Sequence, residues 1–134
     1  MEKIYSRTKP DTLLHLVYRR SEINGRTNIS PENEFLQLAS MQMKKGQTFK
    51  AHKHIIHEKV TNIAQESWLV VQGSVECIFY DLDDTVIARP ILRAGDCSMT
   101  FRGGHNYLIL EEDTVVYEYK TGPYLGIEFD KTFI

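Results

Sequence analysis

The sequence contains too few cysteines for a fold held together by disulfides. Only Cys77 and Cys97 occur among its 134 residues, whereas small secreted domains that rely on disulfides carry a dense set of them. Residues 1–6 also lack the apolar core of a secretory signal. We therefore expect reduced thiols and a cytoplasmic protein.

Long apolar runs and an excess of one charge are absent as well. No run approaches the roughly 20 apolar residues that a membrane-spanning helix needs. The 16 basic and 18 acidic residues leave a formal net charge of -2, and the basic ones are scattered along the chain, so there is no electrostatic footprint for a nucleic acid. No P-loop, dinucleotide-binding or G-x-S-x-G pattern occurs. We predict neither a membrane nor a nucleic-acid partner.

What the sequence does contain, from Glu34 onward, is a succession of short apolar stretches separated by turns. Many short strands of this kind predict an all-β antiparallel sandwich or barrel. The turn at Gly73 lies between two such stretches and predicts a tight hairpin. The clearest strand predictions cover residues 68–71, 75–80, 86–92, 105–110 and 115–120.

The N-terminal part has a different pattern. Asp11 is placed to cap a short helix over residues 12–18, with basic residues near its end, where cations are favoured. The length suits one domain. We therefore expect a single domain over residues 1–134, made of an N-terminal arm with a short helix (1–33), a β-barrel (34–120) and a C-terminal tail (121–134).

Two histidines, His52 and His54, stand in an H-x-H pair after the glycine turn at Gly46. Because successive side chains of a strand alternate between faces, a strand here would point both imidazoles the same way. Two converging imidazoles suit a transition metal, which needs nitrogen ligands aimed at one point. His105, after a Gly-Gly turn, is a third candidate ligand.

The glycine and histidine spacing resembles that of the cupins, which are small jelly-roll barrels. Their first motif, G-x5-H-x-H-x(3–4)-E-x6-G, is matched by Gly46, His52, His54, Glu66 and Gly73. Eleven residues separate His54 from Glu66, where the motif has three or four. The resemblance implies a cupin-type double-stranded β-helix.

The second cupin motif, G-x5-P-x-G-x2-H-x3-N, is met only by Gly95 and His105, since the proline is absent and the spacing is one residue short. The resemblance spans roughly residues 34–120. It implies one divalent transition metal (Fe, Mn, Ni, Zn or Cu) held by His52, His54, Glu66 and His105. Glu58, which three residues separate from His54, is the rival carboxylate.

A narrower likeness is carried by residues 25–29, by the strand expected at His52 and His54, by the ending at residues 119–124 and by the following Asp130-Lys131 pair. These segments look like those of the small cupin-fold metalloproteins of bacterial surface-polysaccharide gene clusters (the WbuC type). That resemblance implies a polysaccharide or sugar-nucleotide context and supplies no activity.

Three further side chains are candidates for binding a substrate. Trp68 lies two residues after Glu66 and Tyr107 two after His105, so on strands both share the ligand face. Either ring could stack on a sugar or simply fill the core. Arg102 could bind an anionic group or remain a solvated loop residue.

The leading functional hypothesis is a metal-binding cupin that acts on a sugar or another small polar metabolite, by isomerase or epimerase chemistry with His52 and His54 taking part. The alternatives are an Fe(II)-dependent dioxygenase, a non-catalytic ligand-binding cupin, and a metal-free sugar-nucleotide ketoisomerase that uses the H-x-H histidines as acid and base. We also expect a homodimer. Whether the protein is an enzyme stays open at this point.

Overall fold

The computed structural model describes residues 1–134 and consists almost entirely of short antiparallel strands. The only helical segments are a 3₁₀ turn at Arg20–Glu22 and a single-turn helix, α1, at Ile127–Asp130. The strands are β1 (Glu2–Tyr5), β2 (Leu13–Tyr18), β3 (Arg26–Asn28), β4 (Ala39–Met41), β5 (Glu66–Gln72), β6 (Ser74–Tyr80), β7 (Val86–Ala88), β8 (Ile91–Arg93), β9 (Cys97–Thr100), β10 (His105–Ile109) and β11 (Val115–Lys120).

The largest sheet has five strands in the order β1-β2-β9-β5-β11, and each neighbouring pair is antiparallel. A second sheet has the order β10-β6-β7, with β8 pairing the first half of β6. A two-stranded ribbon, β3-β4, completes the fold. The protein is therefore all-β, in antiparallel sheets that remain separate from one another. Neither helical segment has the length and hydrophobicity that crossing a bilayer requires.

Two hydrophobic clusters lie on opposite faces of the five-stranded sheet. Val17 of β2 belongs to a cluster that also includes Val75 and Phe79 of β6, so this cluster joins the two large sheets. Leu16, the preceding residue, points to the other face and packs with Met99 and with Ile29 from the segment that covers that face. The five-stranded sheet is thus buried on both faces near β2 and β9.

The predicted N-terminal helix is wrong, because residues 13–18 form β2. This strand lies between β1 and β9, and all of its residues except Leu13 are buried. A short run of apolar residues that is buried on both faces has no strand alternation, so its pattern cannot be told from that of a buried helix. The N-terminal segment is consequently part of the main sheet rather than an arm.

The predicted hairpin at Gly73 is also corrected. Glycine occurs there with φ of +77°, as a turn requires. However, β5 and β6 belong to different sheets and do not pair with each other. The turn is a corner at which the chain passes from one sheet to the next.

The predicted histidine strand over residues 46–54 is not formed either. No strand occurs between Met41 and Glu66, and residues 42–60 are all exposed. On one face of the expected strand, Phe49 and Ala51 are the only apolar side chains. Pairing this strand to a sheet would therefore bury little apolar surface. We call residues 42–60 the histidine segment.

Candidate functional site

Glu66 and His105 meet where the two large sheets come together. Glu66 begins β5 and is opposite Thr100 of β9, while His105 begins β10 and is opposite Phe79 of β6. His105 Nε2 lies 3.2 Å from Glu66 Oε1. Because an ionised carboxylate only accepts hydrogen bonds, Nε2 carries the proton in this pair.

An aromatic stack lies beside this pair. Trp68 and Tyr107 stack with ring centroids 3.8 Å apart and an angle of 11° between the planes. Trp68 Nε1 donates to Glu66 Oε1 at 2.9 Å, so one carboxylate oxygen accepts from both the indole and the imidazole. Burial raises the pKa of Tyr107, whose hydroxyl lies 3.5 Å from Ser98 Oγ. The stack therefore fixes the orientation of Glu66 from within the protein.

The turn before His105 requires glycine. Gly103 has φ of +79°, and a Cβ there would meet the carbonyl oxygen of Tyr80 and lie 3.3 Å from His15 Nε2. His15 is itself fully buried, where Nε2 donates to the Tyr80 carbonyl and Nδ1 accepts from Thr100 Oγ1. This contact between turn and sheet sets where β10, and hence His105, begins.

Glu66 and His105 line a cavity of about 610 Å³, which we call the site cavity. Its other polar walls come from β10, β11 and the C-terminal tail. The residues that matter below are Asn106, Lys120, Asp130, Lys131 and Thr132. A cavity of this volume suits a small metabolite.

The charges in the site cavity are unequally paired. Lys120 of β11 is opposite Glu66 in register, and its Nζ lies 3.4 Å from Asp130 and 3.5 Å from Glu118. Although burial alone would lower the pKa of Lys120, these two carboxylates raise it above its ordinary value. Lys131 also lines the cavity but forms no ion pair.

The Glu66 carboxyl is held in its ionised form. Burial alone would raise its pKa, but the hydrogen bond and charge of His105, with help from Lys131 and Trp68, hold it below the ordinary value. Oε1 accepts both hydrogen bonds, and Oε2 accepts none yet is not buried. Oε2 is thus the accessible basic atom of the site.

His105 Nδ1 is the one buried side-chain polar atom without a hydrogen-bond partner. Such an atom costs about 1–3 kcal/mol relative to a satisfied one. The donor types of this pair, imidazole and carboxylate, fit a divalent transition metal. No group of three or more His, Cys, Asp or Glu side chains converges in this structure, and Glu66 and His105 are the two of the four expected ligands that touch.

The other predicted ligands lie apart from this pair. His52 and His54 are exposed on the histidine segment, with their ring centroids 5.5 Å apart and His52 Nδ1 3.0 Å from the Lys50 carbonyl oxygen. Glu58 is exposed on the same segment. The structure therefore brings together Glu66 and His105 but neither histidine of the H-x-H pair.

Arg102 lies outside the walls of the site cavity. Its Nη1 donates to Glu34 Oε1 at 2.7 Å, and the other oxygen of Glu34 accepts from Gln65 Nε2 at 2.6 Å. Gln65 Oε1 in turn accepts from the backbone of Leu36 at 2.8 Å. The Arg102 guanidinium is therefore engaged in contacts that connect the segment around Glu34 to Gln65, the residue before β5.

Sequence reasoning did not predict the cationic side of the cavity. Lys120 lies two residues after Glu118 on a predicted strand, so parity alone places their side chains on the same face. Its register opposite Glu66 could not be predicted, because β5 and β11 are far apart in the chain. Asp130 and Lys131 appeared only as part of a resemblance, with no role attached.

In comparisons with known proteins, no family model, no curated protein and no solved structure matches the chain.

Proposed function

We propose that this protein binds a sugar or another small polar metabolite in the site cavity and acts on it by proton transfer, as an isomerase or epimerase would, within a cupin-type jelly-roll fold. The observation that carries the proposal is the Glu66–His105 hydrogen bond at the wall of a metabolite-sized cavity. An ionised carboxylate in contact with an imidazole forms a suitable pair for general acid–base catalysis.

The two groups have different parts in such a reaction. Glu66 Oε2 accepts no hydrogen bond from the protein and can take a proton from a carbon next to a carbonyl. The proton on His105 Nε2 is oriented by Glu66 Oε1 and can be shared with a substrate oxygen. Trp68 holds the carboxylate in place by its own hydrogen bond.

We further propose that a divalent transition metal belongs to this site, held by Glu66 and His105 together with His52 and His54. When bound, the metal would polarise a carbonyl oxygen of the substrate. The contact between Glu66 and His105, whose side chains are both common metal-ligand types, and the exposed H-x-H pair support this. Because His105 lies on β10, an edge strand of its sheet, the histidine segment has a free strand edge to approach.

Elemental analysis of the tag-free protein tests the metal. We expect about one equivalent of a transition metal in the native protein, and strong loss in His52→Ala/His54→Ala and in Glu66→Gln. His57→Ala is the matched control, since His57 is an exposed histidine of the same segment. Metal that is retained by the double variant would contradict the ligand set.

A second candidate function needs no metal. In it, Glu66 and His105 act alone as base and acid, which their hydrogen bond favours. This differs from acid–base chemistry by the H-x-H pair, whose side chains are exposed. Two results together would favour this metal-free function. The protein would contain no metal after reconstitution, and sugar binding would survive His52→Ala/His54→Ala but be lost in Glu66→Gln.

A further inference from the structure

The C-terminal residues form one wall of the site cavity. Residues 130–134 all line it, and Ile134 lies against Gly104, the residue just before His105. The segment is tied to the sheet because Asp130, at the end of α1, accepts from Lys120 Nζ. We call residues 127–134 the C-terminal strap.

Within this wall the positive charges are not equivalent. Lys120 is shared between Asp130 and Glu118 and also lies 4.3 Å from the centre of the Tyr124 ring. Its charge is therefore already balanced by protein groups. Lys131, the next residue after Asp130, forms no ion pair and lines the same cavity as Glu66 and His105.

Neutral hydrogen-bonding groups line the same cavity as Lys131. Thr132 follows it on the strap, and Asn106 follows His105 on β10, and both line the site cavity. The Asn106 side-chain oxygen accepts from the Tyr107 backbone at 2.8 Å, which leaves its NH₂ group free to donate. An ammonium that shares a cavity with hydroxyl and amide groups suits the oxygen atoms of a carboxylate or a phosphate.

We propose that Lys131 is the anion-binding residue of the site cavity, and that the ligand is an acidic metabolite whose carboxylate or phosphate group binds at the C-terminal strap. This inference rests on the proposed function, because it assumes that the cavity holds the substrate. It narrows the substrate class from polar metabolites to sugar acids and sugar phosphates. The strap is then a recognition element.

The chain provides its own reporter for the test. Trp68 is the only tryptophan and donates to Glu66, so its fluorescence responds to events in the site. The probes are glucuronate and glucose 1-phosphate, with glucose as the neutral reference and Ni²⁺ alone as a separate titration. The variants are Lys131→Ala, Lys131→Arg and, as the matched control, Lys59→Ala on the exposed histidine segment.

We expect the native protein to bind at least one acidic probe more tightly than glucose. Lys131→Ala should weaken that binding roughly tenfold, the range of a lost charge-assisted hydrogen bond, and should leave binding of glucose unchanged. Lys131→Arg should restore most of the preference, and Lys59→Ala should not alter it.

Three results would overturn the inference. A native protein that binds acidic probes no better than glucose, or a Lys131→Ala protein with unchanged preference, would show that Lys131 is a solvated surface residue. In both cases a response to glucose or Ni²⁺ would leave the proposed function standing. No response of Trp68 to any probe or to Ni²⁺ would contradict the proposed function itself, and the inference with it.

Discussion

The histidines of this protein occupy two contrasting environments. His105 opens a strand that pairs with β6 and contacts Glu66, while His52 and His54 lie on the exposed histidine segment. In the sequence the H-x-H pair is the more conspicuous feature, because its spacing alone predicts convergence. In the structure His105, and not the H-x-H pair, contacts a carboxylate.

The difference teaches that spacing is informative only where a strand is paired. Alternation brings Glu66 and Trp68 to one face because β5 is held on both sides by β9 and β11. The histidine segment has no such neighbours, so the same two-residue spacing gives two rings that meet edge to face at 79° and do not converge on a third ligand.

The largest expected effect compares burial in the two regions. Leu16→Ala should lower the free energy of unfolding by about 2–5 kcal/mol, because Leu16 is 0% exposed in the cluster on one face of the main sheet. Ile56→Ala should change it by less than about 0.5 kcal/mol, since Ile56 is 100% exposed. Urea unfolding followed by circular dichroism measures both. Similar losses in the two variants would mean that the histidine segment is buried in solution.

The second prediction concerns pH and the buried histidine. Burial lowers the pKa of His15 from 6.5 to about 4. Because the unfolded chain then binds a proton that the folded protein does not, stability is retained above pH 6.5 and falls as the pH drops toward 4. The loss is about 3 kcal/mol from this residue alone.

Unfolding midpoints between pH 4 and pH 7 test the His15 prediction. His15→Gln removes the titrating group and should make the unfolding midpoint less dependent on pH over this interval. His54→Gln is the control from the exposed segment and should leave it unaltered. If the unfolding midpoint of His15→Gln falls with pH as steeply as that of the native protein, other groups cause the acid sensitivity.

The smallest expected effect compares two glycines with positive φ. Gly103→Ala should cost about 2 kcal/mol, because a Cβ there is strained at φ of +79° and also meets the Tyr80 carbonyl. Gly46→Ala, at φ of +82° with nothing within 4 Å, should cost no more than about 1 kcal/mol. Thermal unfolding distinguishes the two. Equal shifts would mean that backbone strain alone matters at both positions.

Much of the strand pattern could be predicted from the sequence. The expected strands at residues 75–80, 105–110 and 115–120 correspond closely to β6, β10 and β11. The expected strand at 86–92 is instead divided into β7 and β8 around Pro90, which has no N–H to donate to a ladder. Parity also anticipated that Trp68 and Tyr107 share a face, and their rings stack.

The errors arose where the local pattern was compatible with more than one structure. The apolar run of β2 has no alternation, because Leu16 and Val17 are buried on opposite faces of the sheet. The turn at Gly73 has the chemistry of a hairpin, yet it connects two different sheets. Nothing local distinguishes these outcomes, since they depend on which strands lie alongside.

By itself, the sequence determined the all-β class and most of the strands. It also determined that Glu66 and Trp68 share one face of their strand, and that His105 and Tyr107 share one face of theirs. These properties are local, because they follow from alternation and turn chemistry over a few residues. Only the tertiary structure decided that Glu66 and His105 touch, that Lys120 lies opposite Glu66, and that Lys131 faces the same cavity. These contacts join residues from distant parts of the chain, and they are fixed by strand order and register, which the packing of the whole domain selects.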